Sequence, residues 1–255
     1  MRVVCSDLGV AFESAGGKVE ALANVTFETS EGEFLAVVGP SGSGKTTLLK
    51  VIAGLTRPQS GSVQRIAASD GGHRALMVSQ EHNLFPWMTV LENAAFGLEM
   101  SGVPKAERRE RALELLRRFG MAGWDRFYPC ELSLGMKQRV AVIRSFLSNP
   151  SLLLMDEPFS ALDVQTRLTL QEELLVLWEQ SHKSVIFVTH DVEEAILLSD
   201  RVLVLGKHPG TVIDSFSIPF PRPRHTPLTL DEEFLQLKRS IWATLGLKAQ
   251  MGAMA

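Results

Sequence analysis

Between the apolar run FLAVV at 34–38 and the helical pattern TTLLKVIAGL, the chain carries Gly39-Pro40-Ser41-Gly42-Ser43-Gly44-Lys45-Thr46-Thr47. The first eight of these residues match GxxxxGK[ST] in the order strand, loop, helix, and few folds accommodate that order. Glycines let successive backbone N–H groups converge on one point, and the helix that follows aims its positive dipole end at the same place. A polyphosphate suits such a point. Lys45 has the reach for the outer phosphates, and Thr46 offers a hydroxyl to Mg²⁺. A glycine-rich turn with no ligand is the bland alternative, and the strand and helix on either side argue against it.

Four further runs resemble FLAVV: ALMVS at 75–79, LLLMD at 152–156, VIFVT at 185–189 and RVLVL at 201–205. None alternates polar with apolar residues, as expected of parallel strands covered on both faces. Helical patterns separate them, so the core is α/β. The first 30 residues differ: short extended segments broken at Gly16-Gly17 predict an antiparallel flap.

Residues about 88–150 read as mostly helical. Thr89 and Glu92 fit a capping box that opens a helix towards Met100, and a second helix is expected after Pro104. Within it, ERRERALELLRR could be a nucleic-acid patch or a solvated face. Its apolar residues, Ala112, Leu113, Leu115, Leu116 and Phe119, fall largely on one side, and Glu107–Arg111 and Glu114–Arg118 are spaced as i,i+4 ion pairs. The solvated face is the better reading, and a net charge of −3 gives nucleic acid no support. Residues 218–227, IPFPRPRHTP, predict an extended connector. A terminal helix is expected from about Asp231 to Leu245, with a frayed MGAMA end. The N-terminus lacks the pattern of a signal peptide, no apolar run is long enough to span a membrane, and Cys5 and Cys130 lack metal-like spacing. A soluble chain in a reducing cytoplasm is the simplest expectation.

Leu152–Asp156 is an apolar strand ending in a carboxylate, followed at once by Glu157. Asp156 suits a Mg²⁺ ligand and Glu157 a group that polarises an attacking water. Alone, the pair would be a solvated helix start; the phosphate loop changes that weighting. The order of the loop, Gln80, Ser133-Leu134-Gly135, Asp156-Glu157, Ser160–Asp163 and His190 resembles an ABC-type ATPase cassette from about residue 2 to 215. NLFPWMTVLENAAFGLEM, the LSLGM form and the PRPRHTP tail are similar to importers of nitrate, sulfonate and taurine-type small anions.

The resemblance implies a P-loop NTPase (RecA-like) core with the N-terminal antiparallel β flap and an inserted α-helical subdomain. Its boundaries would be a cassette over 1–215, with core about 1–87 and 151–215 and helical subdomain about 88–150, then an extension over 216–255. It also implies the cofactors ATP and Mg²⁺. Gly39–Thr47 would hold the phosphates, Thr46, Gln80 and Asp156 the metal, and Glu157, His190 and Gln80 would serve hydrolysis. Phe12 would stack on adenine, with a flap-core aromatic as the alternative. Asp163 would lie at a cassette–cassette interface, and Ser133 and Gly135 would face ATP held by the second cassette. That cassette, a homodimer being the simplest form, is one implied partner. Another is a membrane permease docked near Leu84–Met88, with a solute-binding protein acting indirectly and no nucleic acid. The chain would then sit peripherally on the cytoplasmic face of the inner membrane. Rival readings are a soluble ABC ATPase of DNA repair or translation, and a slow ATP-binding regulator. The second rests on Leu134, which stands where the family motif has glycine.

Overall fold

The computed structural model describes residues 1–14, 17–67, 75–79 and 83–246. Along the chain come β1 (Arg2–Ser14), β2 (Gly17–Glu28), β3 (Phe34–Val38), α1 (Lys45–Ala53), β4 (Ser60–Ile66) and β5 (Ala75–Val78). Then follow α2 (Val90–Met100), α3 (Lys105–Arg118), α4 (Leu134–Leu147), β6 (Leu152–Asp156) and α5 (Val164–Ser181). The rest comprises β7 (Ser184–Thr189), α6 (Val192–Leu198), β8 (Arg201–Leu205), β9 (Val212–Ser217) and α7 (Glu232–Thr244). They form two compact units, Met1–His73 with His182–Ala255, and Arg74–Ser181.

In the first unit, β2, β1 and β4 make an antiparallel sheet in that order. The expected short segments are two long strands instead. Val3 and Cys5 are buried in step, the register shifts, and Leu8 and Val10 resume on the same face. Asp7 at φ 49 lies at that shift. A bulge therefore hides one continuous strand behind a broken alternation. The second sheet of this unit runs β7-β3-β8 in parallel, with β9 antiparallel on β8. Every residue of β3 and β7 is buried, as their lack of polar alternation requires. Helices α6 and α7 cover this sheet, with Ala36, Val38, Val202 and Val204 packed against Val192, Ile196, Phe234 and Ile241.

In the second unit, β5 and β6 pair in parallel from Ala75↔Leu152 to Val78↔Met155. The four helices α2–α5 account for most of the remainder. Thr89 and Glu92 form the expected capping box: the Glu92 backbone N–H donates to Thr89 Oγ1 at 3.2 Å, and the Thr89 N–H donates to Glu92 at 2.8 Å. These bonds hold the Glu92 carboxyl below its ordinary pKa. Thr89→Ala should cost about 1 kcal/mol, measured as a lower thermal midpoint. The Glu92 contribution has a definite sign. It is complete above the unfolded glutamate pKa and fades as pH falls through the depressed folded value.

Ala112, Leu115, Leu116 and Phe119 of the α3 region are buried, and the charged side faces solvent. Arg111 pairs with Glu107 as expected. Arg118 does not pair with Glu114; its guanidinium reaches Glu173 of α5 at 2.8 Å. Helix α2 approaches the end of α4 so closely that a Cβ on Gly97 would lie 1.8 Å from Ser148 Oγ. The terminal helix appears where expected, with Asp231 capping it through the Glu233 N–H.

Candidate functional site

Two strand ends in the first unit carry the candidate phosphate site. Val38 is paired with Thr189, so Gly39 and His190 leave neighbouring parallel strands at the same level. Outside the carboxyl ends of such strands is where ligands of open α/β sheets bind. The loop after β3 is a cradle that side chains would fill. Gly44 caps α1 at φ 84, and a Cβ there would lie 2.6 Å from both Ala21 O and Leu22 Cδ2. Gly42 is also left-handed at φ 77. A Cβ on Gly39 would meet Ser43 Oγ at 2.6 Å and Leu205 O at 2.8 Å.

Lys45 is buried, and its ammonium donates to Gly39 O at 2.7 Å and Pro40 O at 3.1 Å. The loop's own carbonyls thus hold the cation at its mouth. Ser43 is fully buried, and its hydroxyl has no hydrogen-bond partner. An orphan hydroxyl and glycines that exclude side chains fit a polyphosphate whose oxygens accept from the loop. Ser41 and Thr46 are exposed, Pro40 and Thr47 half-buried.

A third segment backs this loop, unannounced by the sequence. Gly210 N donates to Ala21 O at 3.0 Å, and Ala23 N donates to Gly210 O at 3.0 Å. A Cβ on Gly210 would lie 2.1 Å from Ser43 O. The imidazole of His208 lies 3.3 Å from where a Cβ of Gly42 would stand. Gly206 and Gly210 around His-Pro were the available signal, but only the fold shows what they touch.

His190 is exposed in the turn between β7 and α6. That turn is fixed from both sides. Thr189 Oγ1 accepts from the Asp191 N–H at 3.0 Å and donates to the buried Glu194 at 2.5 Å. Asp191 Oδ1 accepts from Glu193 N and Glu194 N, capping α6. Phe12 lies on β1 opposite Val19, and both are about half exposed. Phe12 is therefore not part of the flap core, and its ring face is available.

The second unit holds the acidic residues. Asp156 ends β6 and is buried at 4% exposure. Glu157 follows at φ 47, a conformation that L-residues rarely adopt. Its carbonyl accepts from Ser160 N at 3.2 Å and Ser160 Oγ at 3.0 Å, which fixes the turn. Strain of this kind clusters at functional sites. Among the described residues no group of three or more His, Cys, Asp or Glu could enclose a metal. Asp156, a buried carboxylate, fits Mg²⁺, which keeps several waters and needs few protein ligands. Asp163 accepts from the Thr166 N–H at 3.0 Å at the start of α5, and that bond lowers its pKa. Gln80 lies outside the described residues.

Ser133 caps α4, accepting from the Met136 N–H at 3.3 Å. Gly135 is pressed against the 160–163 turn, since a Cβ there would lie 2.8 Å from Leu162 Cδ2. Leu134 is the first helical residue, is absent from the left-handed positions and is 58% exposed. Its side chain is bulk without backbone strain.

Beside Leu84–Met88 the second unit has a groove of about 690 Å³ lined by Trp87, Met88, Leu91, Ala95, Arg108 and Arg126, among others. Asn93 is fully buried and pins the segment: Nδ2 donates to the carbonyls of Phe85, Met88 and Thr89, and Oδ1 accepts from Phe85 N. Trp87 remains 70% exposed.

A family model described as ABC transporter matches residues 22–160. Over 231 residues the chain is 45% identical to the nitrate import ATP-binding protein NrtD of Synechocystis, covering 89% of this chain and 86% of the relative. It is 38% identical over 247 residues to the aliphatic sulfonates import ATP-binding protein SsuB of Bacillus cereus, covering 94% of each. A solved dimeric ATP-binding cassette, in a post-hydrolysis state bound to ADP and Pi, superposes with a TM-score of 0.74 at 31% identity. That match covers 86% of this chain and 100% of the other.

Proposed function

We propose that this chain, which belongs to the ABC transporter family and is one of its ATP-hydrolysing cassettes, drives uptake of a small anion through a separate membrane subunit. The observation that carries this reading is the likeness to nitrate and sulfonate import cassettes across nearly the whole chain. The groove beside Trp87 supports it, because an exposed aromatic with Met88, Leu91 and Ala95 beside it and charged residues such as Glu92, Glu99 and Arg108 around them suits an amphipathic helix laid into it. Among the described residues no helix is long and apolar enough to cross a membrane. The reading therefore makes the chain a peripheral subunit on the cytoplasmic face of the inner membrane, paired with a second cassette, and served indirectly by a solute-binding protein. In this reading 1–215 act as one cassette, and 216–255 extend it.

Each residue then has a role. The backbone of the Gly39–Thr47 loop, through its N–H groups other than at Pro40, and the Lys45 ammonium bind and orient the phosphates, and Phe12 stacks on the adenine. Bound Mg²⁺ supplies neutralising charge, and Thr46, Asp156 and Gln80 would hold it. The Glu157 carboxylate takes a proton from the attacking water. His190 steadies the terminal phosphoryl oxygens as a hydrogen-bond donor. Ser133 and Gly135 offer the start of α4 to ATP on the second cassette, and Asp163 faces that cassette.

Two experiments test the reading. Cassette and membrane subunits reconstituted in liposomes should take up labelled nitrate, an alkane sulfonate or taurine only with ATP; no uptake of any of them overturns the importer assignment. Leu134→Gly should leave turnover within about threefold of the parent, because a helical Leu134 keeps its backbone donor and its side chain is exposed. Turnover rising from essentially zero in that variant would favour the slow regulator instead.

A further inference from the structure

The segment after β9 meets the helix that carries the His190 turn. Helix α6 has only seven residues, too short to be stable on its own. Its last carbonyls lack partners within the helix, as in any helix. Here two tail arginines supply them. Arg224 Nη1 donates to Ile196 O at 3.0 Å, Leu197 O at 3.4 Å and Ser199 O at 2.5 Å. Arg222 Nη2 donates to Leu198 O at 2.8 Å while the same guanidinium pairs with Asp200. Two cations thus sit at the negative end of the α6 dipole. Arg224 is 4% exposed and also anchors its own segment through Phe220 O.

The other end of α6 is held as well. Lys238 of α7 pairs with Glu193 at 2.5 Å, in the first turn beyond His190. Phe234 and Ile241, both fully buried, pack with Val192, Ala195 and Ile196. The next residue in that turn, Glu194, bonds Thr189 on the near side of His190.

We propose that the segment Ile218–Thr244 positions His190: Arg224, Arg222 and Lys238 hold α6 so that its capping turn presents the imidazole at the strand ends. They are positioning residues and touch no reacting atom. The inference rests on the reading that His190 serves hydrolysis, so its test separates the two.

Steady-state ATPase kinetics are measured on full-length wild type, His190→Ala, Arg224→Met and the double variant, each checked for folding by thermal melting. Arg224→Met should lower kcat by about tenfold to a hundredfold, the scale of a group misplaced by about 1 Å. Its KM for ATP should stay within about threefold, since nucleotide is held by the P-loop. In the His190→Ala background the same substitution should change residual turnover by less than about twofold, because the two residues act as one unit.

Losses that multiply in the double variant, or an unchanged kcat in Arg224→Met, overturn the proposal and leave the His190 reading intact. Full turnover in His190→Ala removes that reading, and the proposal with it. If Arg224→Met does not fold, Arg222→Gln combined with Lys238→Met replaces it under the same criteria.

Discussion

Glu157→Gln is expected to bind ATP as tightly as the parent while hydrolysing it about 10²–10⁴-fold more slowly, the usual contribution of a general base. The substitution keeps size and hydrogen-bonding shape and removes the proton acceptor. It also leaves the φ 47 backbone and the two Ser160 bonds to the Glu157 carbonyl in place, since neither involves the carboxylate. A loss therefore reports on chemistry rather than folding. ATP that is bound and not consumed should trap paired cassettes, seen as an ATP-dependent dimer in gel filtration. Phosphate release at the parent rate would remove Glu157 as the base.

Gly44→Ala is expected to abolish nucleotide binding, with ATP affinity falling by about a hundredfold or more. Backbone strain at φ 84 contributes about 1–3 kcal/mol. The steric conflict adds to it, because the new methyl would lie 2.6 Å from Ala21 O. That carbonyl cannot retreat easily, since it accepts from Gly210 N. Gly102 supplies the control: its φ is 76, yet a Cβ there meets nothing within 4 Å. Gly102→Ala should lower the melting temperature slightly and leave ATP affinity alone. Equal affinity in Gly44→Ala and the parent, by calorimetry, would show that the cradle is not the phosphate site.

The parallel strands β3, β6, β7 and β8 were legible because burial on both faces writes itself as an unbroken apolar run rich in valine and leucine. The Thr89 cap was legible because a cap is a local contact between a side chain and an N–H three residues on. What depends on remote partners was not. Arg118 chose Glu173 over Glu114, a choice that the i,i+4 rule cannot see when another helix offers a carboxylate. The basic, proline-rich run at 218–227 read as a connector, whereas Arg224 is buried in it. A buried arginine becomes intelligible only beside the carbonyls it satisfies, and those belong to a helix some 25 residues earlier. The β1 bulge misled for a local reason, since a register shift looks like an interruption. At the site, the loop and the acidic strand end announced themselves, but the contact of Gly135 with Leu162 needed the fold.

Gly210 carries a consequence for how variation in such a gene is interpreted. It belongs to no nucleotide motif, yet its missing side chain leaves room for the Ser43 carbonyl, and its N–H fixes Ala21 beneath Gly44. The candidate phosphate cradle is one object in space and three separate stretches of the coding sequence. An allele that spares the contiguous motif and alters codon 210 still rewrites the loop.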